Sequence, residues 1–254
     1  DNNGYIWLAT SNGLNRYSGY EVKQYHPSDV DPYSLPTGYI QNLFLDSKGD
    51  LWIGTKAGLA KYQPESDNFK IFNRQNSVIK VDFITGIGES YEGDILFADL
   101  KFLYKLSKDT HQIEVVKQIH RDQSFIKVIY DEANRTWLGS NEFGLSLIDK
   151  SDESLYSATK VNPWGINLDV RSIHDVKVIN GNYWLATNEG IYVMSASGKI
   201  LQHLKYEFTS ESNEALNTLS IFEKEDDIWV GTQAGLFIFS EAAITDIDSN
   251  FNPQ

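Results

Sequence analysis

The histidines are His26, His111, His120, His174 and His203. No two stand four apart and no His-Glu-x-x-His run occurs, so no helical face offers paired imidazoles to a metal. His111 and His120 bracket one segment without ligand spacing. Cysteine is absent, which removes disulfides, thiolate nucleophiles and thiolate ligands together and leaves the redox compartment open. No Gly-x-Ser-x-Gly elbow raises a serine, and no glycine-rich loop cradles a phosphate. We expect no metal, no cofactor and no catalytic residue. Aspartate and glutamate total 35, and two carboxylates facing across a cleft could cleave a glycosidic bond. Asp29, Asp31, Asp169, Glu189 and Glu211 are candidates, but no spacing pairs them, and solvated loop charge is the simpler reading.

Binding chemistry is better represented. Tyr33, Tyr39, Arg74, Trp164, Asp169 and Arg171 all stand in polar stretches between apolar runs. Aromatic faces stack on sugar rings, and arginine forks grip carboxylates. Trp164, with Asp169 and Arg171 close by, joins a flat ring to charged hydrogen-bonding groups, which suits a polyhydroxylated ligand. An oligosaccharide or other small soluble ligand is the expected partner. The competing reading has Trp164 pinning its own loop.

The elements that position these residues form a repeat. Ile6-Trp7-Leu8-Ala9-Thr10 returns as Leu51-Trp52-Ile53-Gly54-Thr55, Thr136-Trp137-Leu138-Gly139-Ser140, Tyr183-Trp184-Leu185-Ala186-Thr187 and Ile228-Trp229-Val230-Gly231-Thr232. A worn copy is Ile95-Leu96-Phe97-Ala98-Asp99. The Trp equivalents Trp7, Trp52, Leu96, Trp137, Trp184 and Trp229 are spaced 45, 44, 41, 47 and 45 apart. A second strand follows at a fixed offset, opened by Gly13, Gly58, Gly144, Gly190 or Gly235, where a tight hairpin needs positive φ. Phe102 takes that place in the worn copy, so its turn should differ. Inner strands are expected from Ile40, Ile84, Phe125, Val170 and Leu216. Outer strands are expected over Val22–Tyr25, Phe69–Phe72, Ile113–Lys117 and Ile200–Tyr206.

Four short antiparallel strands per repeat of roughly 44 residues is the pattern of a β-propeller blade. The fold class is therefore all-β: a β-propeller of four-stranded antiparallel blades with six repeats visible, a single propeller region over residues 1–254, belonging to a larger, seven-bladed ring. Trp52 and Gly54 share one strand face, as do Trp7 with Ala9 and Trp229 with Gly231. A large ring beside a near-absent side chain lets adjacent sheets interlock, so these tryptophans are assigned to packing between blades. Six middle hairpins meet only five inner strands, so the first blade should hold three strands. The start at Asp1, with no charged-then-apolar leader, and the end before the next inner strand lead us to expect a processed or excised piece of a longer protein.

In a propeller, the loops from each outer strand to the next inner strand share one rim with the turn after the Trp strand. Here those loops are long: 26–39, 73–83, 162–171 and 207–217. They carry the six binding candidates. The net charge of -13 repels a phosphate backbone, so no nucleic acid is expected. Apolar runs are too short to span a bilayer as a helix, so no membrane contact is expected of this region.

The pattern Asp-x-x-Gly-x-Leu-Trp-Ile-Gly-Thr-x-x-Gly-Leu-x-x-Tyr resembles the two-component regulator propeller repeat. It is closest over Asp46–Tyr62 and weakest over Asp94–Leu106, and Gly13–Tyr20 resembles a first blade in that family. The resemblance implies the periplasmic sensor region of a membrane-bound bacterial receptor, non-catalytic itself, followed by other domains and a histidine kinase or diguanylate cyclase. It carries over no functional residue. Two rivals remain: a protein-docking or homodimerisation platform, and a carbohydrate-active propeller enzyme. Asp131–Trp137 loosely resembles the Asp-box turn of such enzymes, itself a structural motif.

Overall fold

A computed structural model describes residues 1–90, 92–119, 125–130, 135–140, 144–148, 155–157, 168, 170, 172–205 and 217–240. Among these residues every regular element is a β-strand, arranged in six antiparallel sheets. The first sheet is β1 (Ile6–Thr10), β2 (Gly13–Tyr17) and β3 (Val22–Tyr25). The second is β4 (Ile40–Leu45), β5 (Leu51–Thr55), β6 (Gly58–Gln63) and β7 (Asn68–Phe72), and the third is β8 (Gly86–Glu89), β9 (Ile95–Ala98), β10 (Phe102–Leu106) and β11 (Ile113–Gln118). The fourth joins β12 (Phe125–Tyr130), β13 (Thr136–Ser140), β14 (Gly144–Ile148) and β15 (Leu155–Ser157). The fifth joins β16 (Ile173–Ile179), β17 (Asn182–Thr187), β18 (Gly190–Met194) and β19 (Ile200–Leu204). The sixth shows β20 (Thr218–Lys224), β21 (Asp227–Thr232) and β22 (Gly235–Ser240). Within each sheet the strands lie in chain order. The first sheet has three strands, as the strand register of the sequence requires.

The chain divides into two compact units, residues 1–138 with 149–153, and residues 139–148 with 154–254. In the first unit, β5 is buried on both faces because two sheets claim it. Trp52 packs with Leu59, Ile84, Ile87, Ile95 and Phe97 toward the third sheet. Leu51 and Ile53 pack with Leu14, Tyr25 and Leu35 toward the first. Alternation along a strand sends successive side chains to opposite neighbours. Gly54 keeps the approach close: a Cβ there would lie 3.2 Å from both the Ile84 side chain and its carbonyl oxygen. In the second unit, Trp184, Ile191 and Val193 pack with Ile221, Ile228 and Val230.

Four of the repeats end the Trp strand with the same local bolt. The Thr55 hydroxyl donates to the Gly58 carbonyl (2.8 Å) and accepts the Ala57 N–H (3.0 Å). Thr10, Thr187 and Thr232 do the same toward Gly13, Gly190 and Gly235. Gly58 sits at φ 129°, and a Cβ there would meet the Phe72 carbonyl at 2.5 Å. The third sheet solves the turn differently, as the missing glycine predicts. Asp99 stands where the threonine would, and its carboxylate accepts the N–H groups of Lys101 (2.6 Å) and Phe102 (2.7 Å) and the Tyr104 hydroxyl (2.6 Å). Burial nonetheless pushes the Asp99 carboxyl above its ordinary range, against those hydrogen bonds, and pushes the Tyr104 phenol upward.

Two inner strands start later than their apolar residues suggest. Ladder pairing begins at Gly86 rather than Ile84 and at Ile173 rather than Val170, while the start expected at Leu216 lies outside the described residues. Ile84 and Val170 are fully buried, but the Ile84 N–H goes to the Thr55 carbonyl of the neighbouring sheet (2.9 Å). Apolar spacing reported burial, and the backbone partner decided where the strand begins. The three-residue outer strand β15 carries too short a pattern to be read from sequence.

Candidate functional site

In the first unit the antiparallel strands run between two rims. One carries the loops 26–39 and 73–83 beside the turns that follow each Trp strand. Hydrogen bonds tie loop to turn: Gly13 N–H to the Gly38 carbonyl (2.6 Å), and Lys56 N–H to the Tyr39 carbonyl (3.3 Å). The other rim carries the turns 46–50, 63–67, 90–94 and 107–111. Ser47 reaches Glu89 there through its N–H (2.8 Å) and its hydroxyl (2.7 Å).

The expected binding residues on the loop rim have separate surroundings. Tyr33 is exposed, with its N–H on the Asp31 carboxylate (3.0 Å) and its carbonyl accepting the Phe69 N–H (2.9 Å). Tyr39 lies under the Lys56 ammonium, 3.7 Å from its ring centre, which makes a cation–π platform. Arg74 is held by Asp82, through its side chain (Nε to Oδ2, 3.1 Å) and its backbone N–H (2.9 Å). Glu189 accepts the Tyr192 hydroxyl at 3.4 Å. Tyr192 stacks on His203, whose imidazole is held below its usual range by burial. Trp164, Asp169 and Arg171, and likewise Asp131, Glu211 and His120, lie outside the described residues. Among the described residues no group of three or more His, Cys, Asp or Glu could hold a metal ion.

The turn rim holds an arrangement that sequence reasoning missed. Trp7, Arg16 and Lys23 stand in register across β1, β2 and β3. Into this row comes Asp67, from the turn between β6 and β7, at φ 51°. Its carboxylate accepts the hydroxyls of Tyr25 (2.7 Å) and Tyr62 (2.6 Å), pairs with Arg16 (3.4 Å) and also takes the Lys23 ammonium. Arg16 in turn donates to the Tyr62 hydroxyl (2.7 Å) and lies over Tyr5. Burial alone would raise the Asp67 carboxyl, but the hydrogen bonds from Lys23, Tyr62 and Tyr25 outweigh it and hold the group at about 2. Burial and the same carboxylate raise both phenols.

One repeat further on, each member of that cluster has a counterpart. Trp52, Lys61 and Lys70 stand in register across β5, β6 and β7. The cations are retained, with Lys61 at the place of Arg16 and Lys70 at that of Lys23. The other groups are replaced: Phe72 for Tyr25, Leu106 for Tyr62, and His111, at φ 56°, for Asp67. Between the second and third sheets a cleft of about 690 Å³ opens at this rim, lined among others by Trp52, Lys61, Lys70, Phe72, Lys108 and His111. Lys61 turns instead to Asp50 (2.5 Å). Asp46 is committed to the Trp52 indole N–H (2.9 Å) and to the N–H groups of Lys48 and Asp50. The signal was present in the sequence as Asp67 and His111, 44 residues apart at one repeat position, but only a carboxylate seen in contact gives that difference meaning.

Residues 34–57 match the two component regulator propeller family. These residues carry the Asp46-to-Thr55 turn and Trp strand just described. The likeness to that family lies in one repeat of this chain. A stretch of 153 residues is 28% identical to histidine kinase P4 of Formosa agariphila and covers 56% of this chain and 11% of that kinase. The chain is similar in structure to the extracellular domain of a hybrid two component system from B. thetaiotaomicron. That match has a TM-score of 0.75 and 19% identity, and covers 100% of this chain and 34% of that one. It is also similar to virginiamycin B lyase from Staphylococcus aureus, with a TM-score of 0.65 and 15% identity, covering 94% of this chain and 78% of that one. These likenesses give the fold, a β-propeller, which hosts both receptor regions and an enzyme. The chain spans about a third of the receptor domain and about a tenth of the kinase.

Proposed function

We propose that this propeller region is a non-catalytic ligand-sensing part of an extracytoplasmic receptor domain, periplasmic in location, whose output lies in other domains of a bacterial signalling protein. The observation that carries the proposal is the regulator propeller repeat at residues 34–57, together with full coverage of the chain by a two component system's extracellular domain. Blade interiors are committed to packing around Trp52 and Trp184, so recognition falls to the loops. We assign Tyr33, Tyr39 and Arg74 of the first unit's loop rim to a soluble ligand, an oligosaccharide by their chemistry, and on their sequence chemistry assign Trp164, Asp169 and Arg171 to a ligand of the same class. Calorimetry on the chain against neutral and acidic oligosaccharides tests this. Trp164→Ala should leave the thermal midpoint nearly unchanged and weaken binding about tenfold, the scale of one lost stacking contact. Unaltered binding would move the site elsewhere.

A second reading, a docking or homodimerisation surface, is favoured by apolar faces on the first and sixth sheets. Ile6 and Leu8 of β1 are 55% and 50% exposed, whereas their repeat counterparts Leu51 and Ile53 are 6% and 0% exposed. Phe222, Leu236 and Ile238 are likewise exposed on the sixth sheet. Patches of this kind mark contact surfaces. Sedimentation of the chain and of an Ile6→Lys, Leu8→Lys variant separates the readings: self-association lost in the variant supports docking through β1.

A further inference from the structure

The geometry points to the cleft between the second and third sheets as an anion-binding site, one that takes the carboxylate of a ring-bearing small acid in the place where Asp67 sits one repeat earlier. The proposal stands whether or not the loop rim senses a ligand, because it rests on a different rim and different residues.

The two interfaces are the same construction with one part exchanged. At the first, two cations and two phenols converge on a carboxylate supplied by the following turn. At the second, the cationic row is kept as Lys61 and Lys70, while the turn supplies His111 instead. Of that turn, Ser107, Lys108 and His111 line the cleft. Four lysines, at 48, 61, 70 and 108, line the cleft against Asp46, Asp50 and Glu65. Asp46 and Asp50 are already committed, the first to Trp52 and the second to Lys61. Lys108 donates its side-chain ammonium to the Glu92 carbonyl and its backbone N–H to the Asp94 carboxylate (2.9 Å). Among the described residues Lys48 and Lys70 make no ion pair, and Lys70 lies over the Phe72 ring at 5.1 Å. A chain of net charge -13 thus keeps a local concentration of lysines around a cavity, and a cavity focuses their field.

The exchange of phenols for Phe72 and Leu106 also changes what else the site accepts. Two hydroxyls that grip a carboxylate are replaced by apolar surface, joined by Trp52 and Ile95. The cleft therefore offers charge at one part and flat apolar walls at another, and its size falls within the range of small-molecule pockets. A carboxylate attached to a ring fits both features.

D-Glucuronate, with D-glucose as the uncharged control, tests the proposal by amide chemical shifts of the isotope-labelled chain. Saturable shifts at Lys70, Phe72, Lys108 and His111 with glucuronate, and none with glucose, are expected. His111→Asp supplies the tethered carboxylate and suits the left-handed backbone, as Asp67 does. It should raise the thermal midpoint by a few degrees and weaken glucuronate at least about tenfold. Lys70→Gln should weaken glucuronate similarly without the rise in midpoint, and remains informative if His111→Asp fails to fold. Shifts that are absent at tens of millimolar, equal with glucose, or unchanged in both variants overturn the proposal.

Discussion

The interface between the first and second sheets is closed by a carboxylate, whereas the interface between the second and third is packed by tryptophan and left open at its rim. Trp7 is only half-buried, touching Tyr25 and Tyr62 edge-on or stacked, while Asp67 draws two phenols and two cations over it. Trp52 is 5% exposed within an aliphatic cluster, and its rim holds a cleft. The same repeat can thus join neighbours by polar convergence or by apolar interdigitation. Geometry comes from the backbone ladder, and the energy source is set by a few side chains at each contact.

If this contrast is right, the largest effect belongs to the apolar interface. Trp52→Ala should cost ~3–5 kcal/mol through the cavity it leaves between sheets. Trp7→Ala should cost roughly half, because less of its surface leaves water on folding. Urea titration of both variants checks this, and equal losses would break the distinction.

The next effect belongs to the polar interface. Asp67→Asn should cost ~1–2 kcal/mol near neutral pH, less than several charged hydrogen bonds suggest because the carboxylate is about one-third exposed. Its pH dependence has a definite sign. The folded carboxyl lies near 2, below its unfolded value. The stabilisation is therefore present above pH ~4 and fades as pH falls through about 2. The gap between wild type and Asp67→Asn in urea midpoints should be full at pH 5 and shrink toward pH 2. His111→Asn, at the matching place in the other interface, should change stability by no more than about 0.5 kcal/mol. A cost there equal to that of Asp67→Asn would mean that His111 closes its interface too.

Tyr25→Phe imports one feature of the second interface into the first, since Phe72 occupies that position one repeat on. Loss of one hydrogen bond to Asp67 predicts a cost of ~0.5–1.5 kcal/mol, seen as a lower thermal midpoint. A small effect is also expected of Lys61→Met, which removes a pair with Asp50 that is about one-third exposed and should cost below ~1 kcal/mol. A larger loss would show that Lys61 supports the interface as Arg16 does.

Repeat period, strand order and the commitment of Trp52 to the core were legible along the chain. Each depends on residues near one another in sequence: a Trp-x-Gly strand face, a threonine three residues before a glycine, and an aspartate six before a tryptophan. The three-stranded first sheet followed from counting. Strand starts at Ile84 and Val170 were misplaced because burial and ladder pairing separate there, and periodicity reports burial alone.

The sequence by itself determined that this chain is a run of similar antiparallel sheets, because local spacing dictates hairpins and which face of each strand is apolar. Only the tertiary structure decided what happens where two sheets meet. Arg16, Lys23 and Tyr25 reach Asp67 across 42 to 51 residues of chain. Whether a carboxylate or a cleft faces a row of cations depends on how one sheet's turn projects onto the next. Nothing in the local pattern encodes that projection, so Asp67 and His111 occupy the same place in the repeat and yet meet different surroundings, a row of cations and phenols in one case and the edge of a cleft in the other.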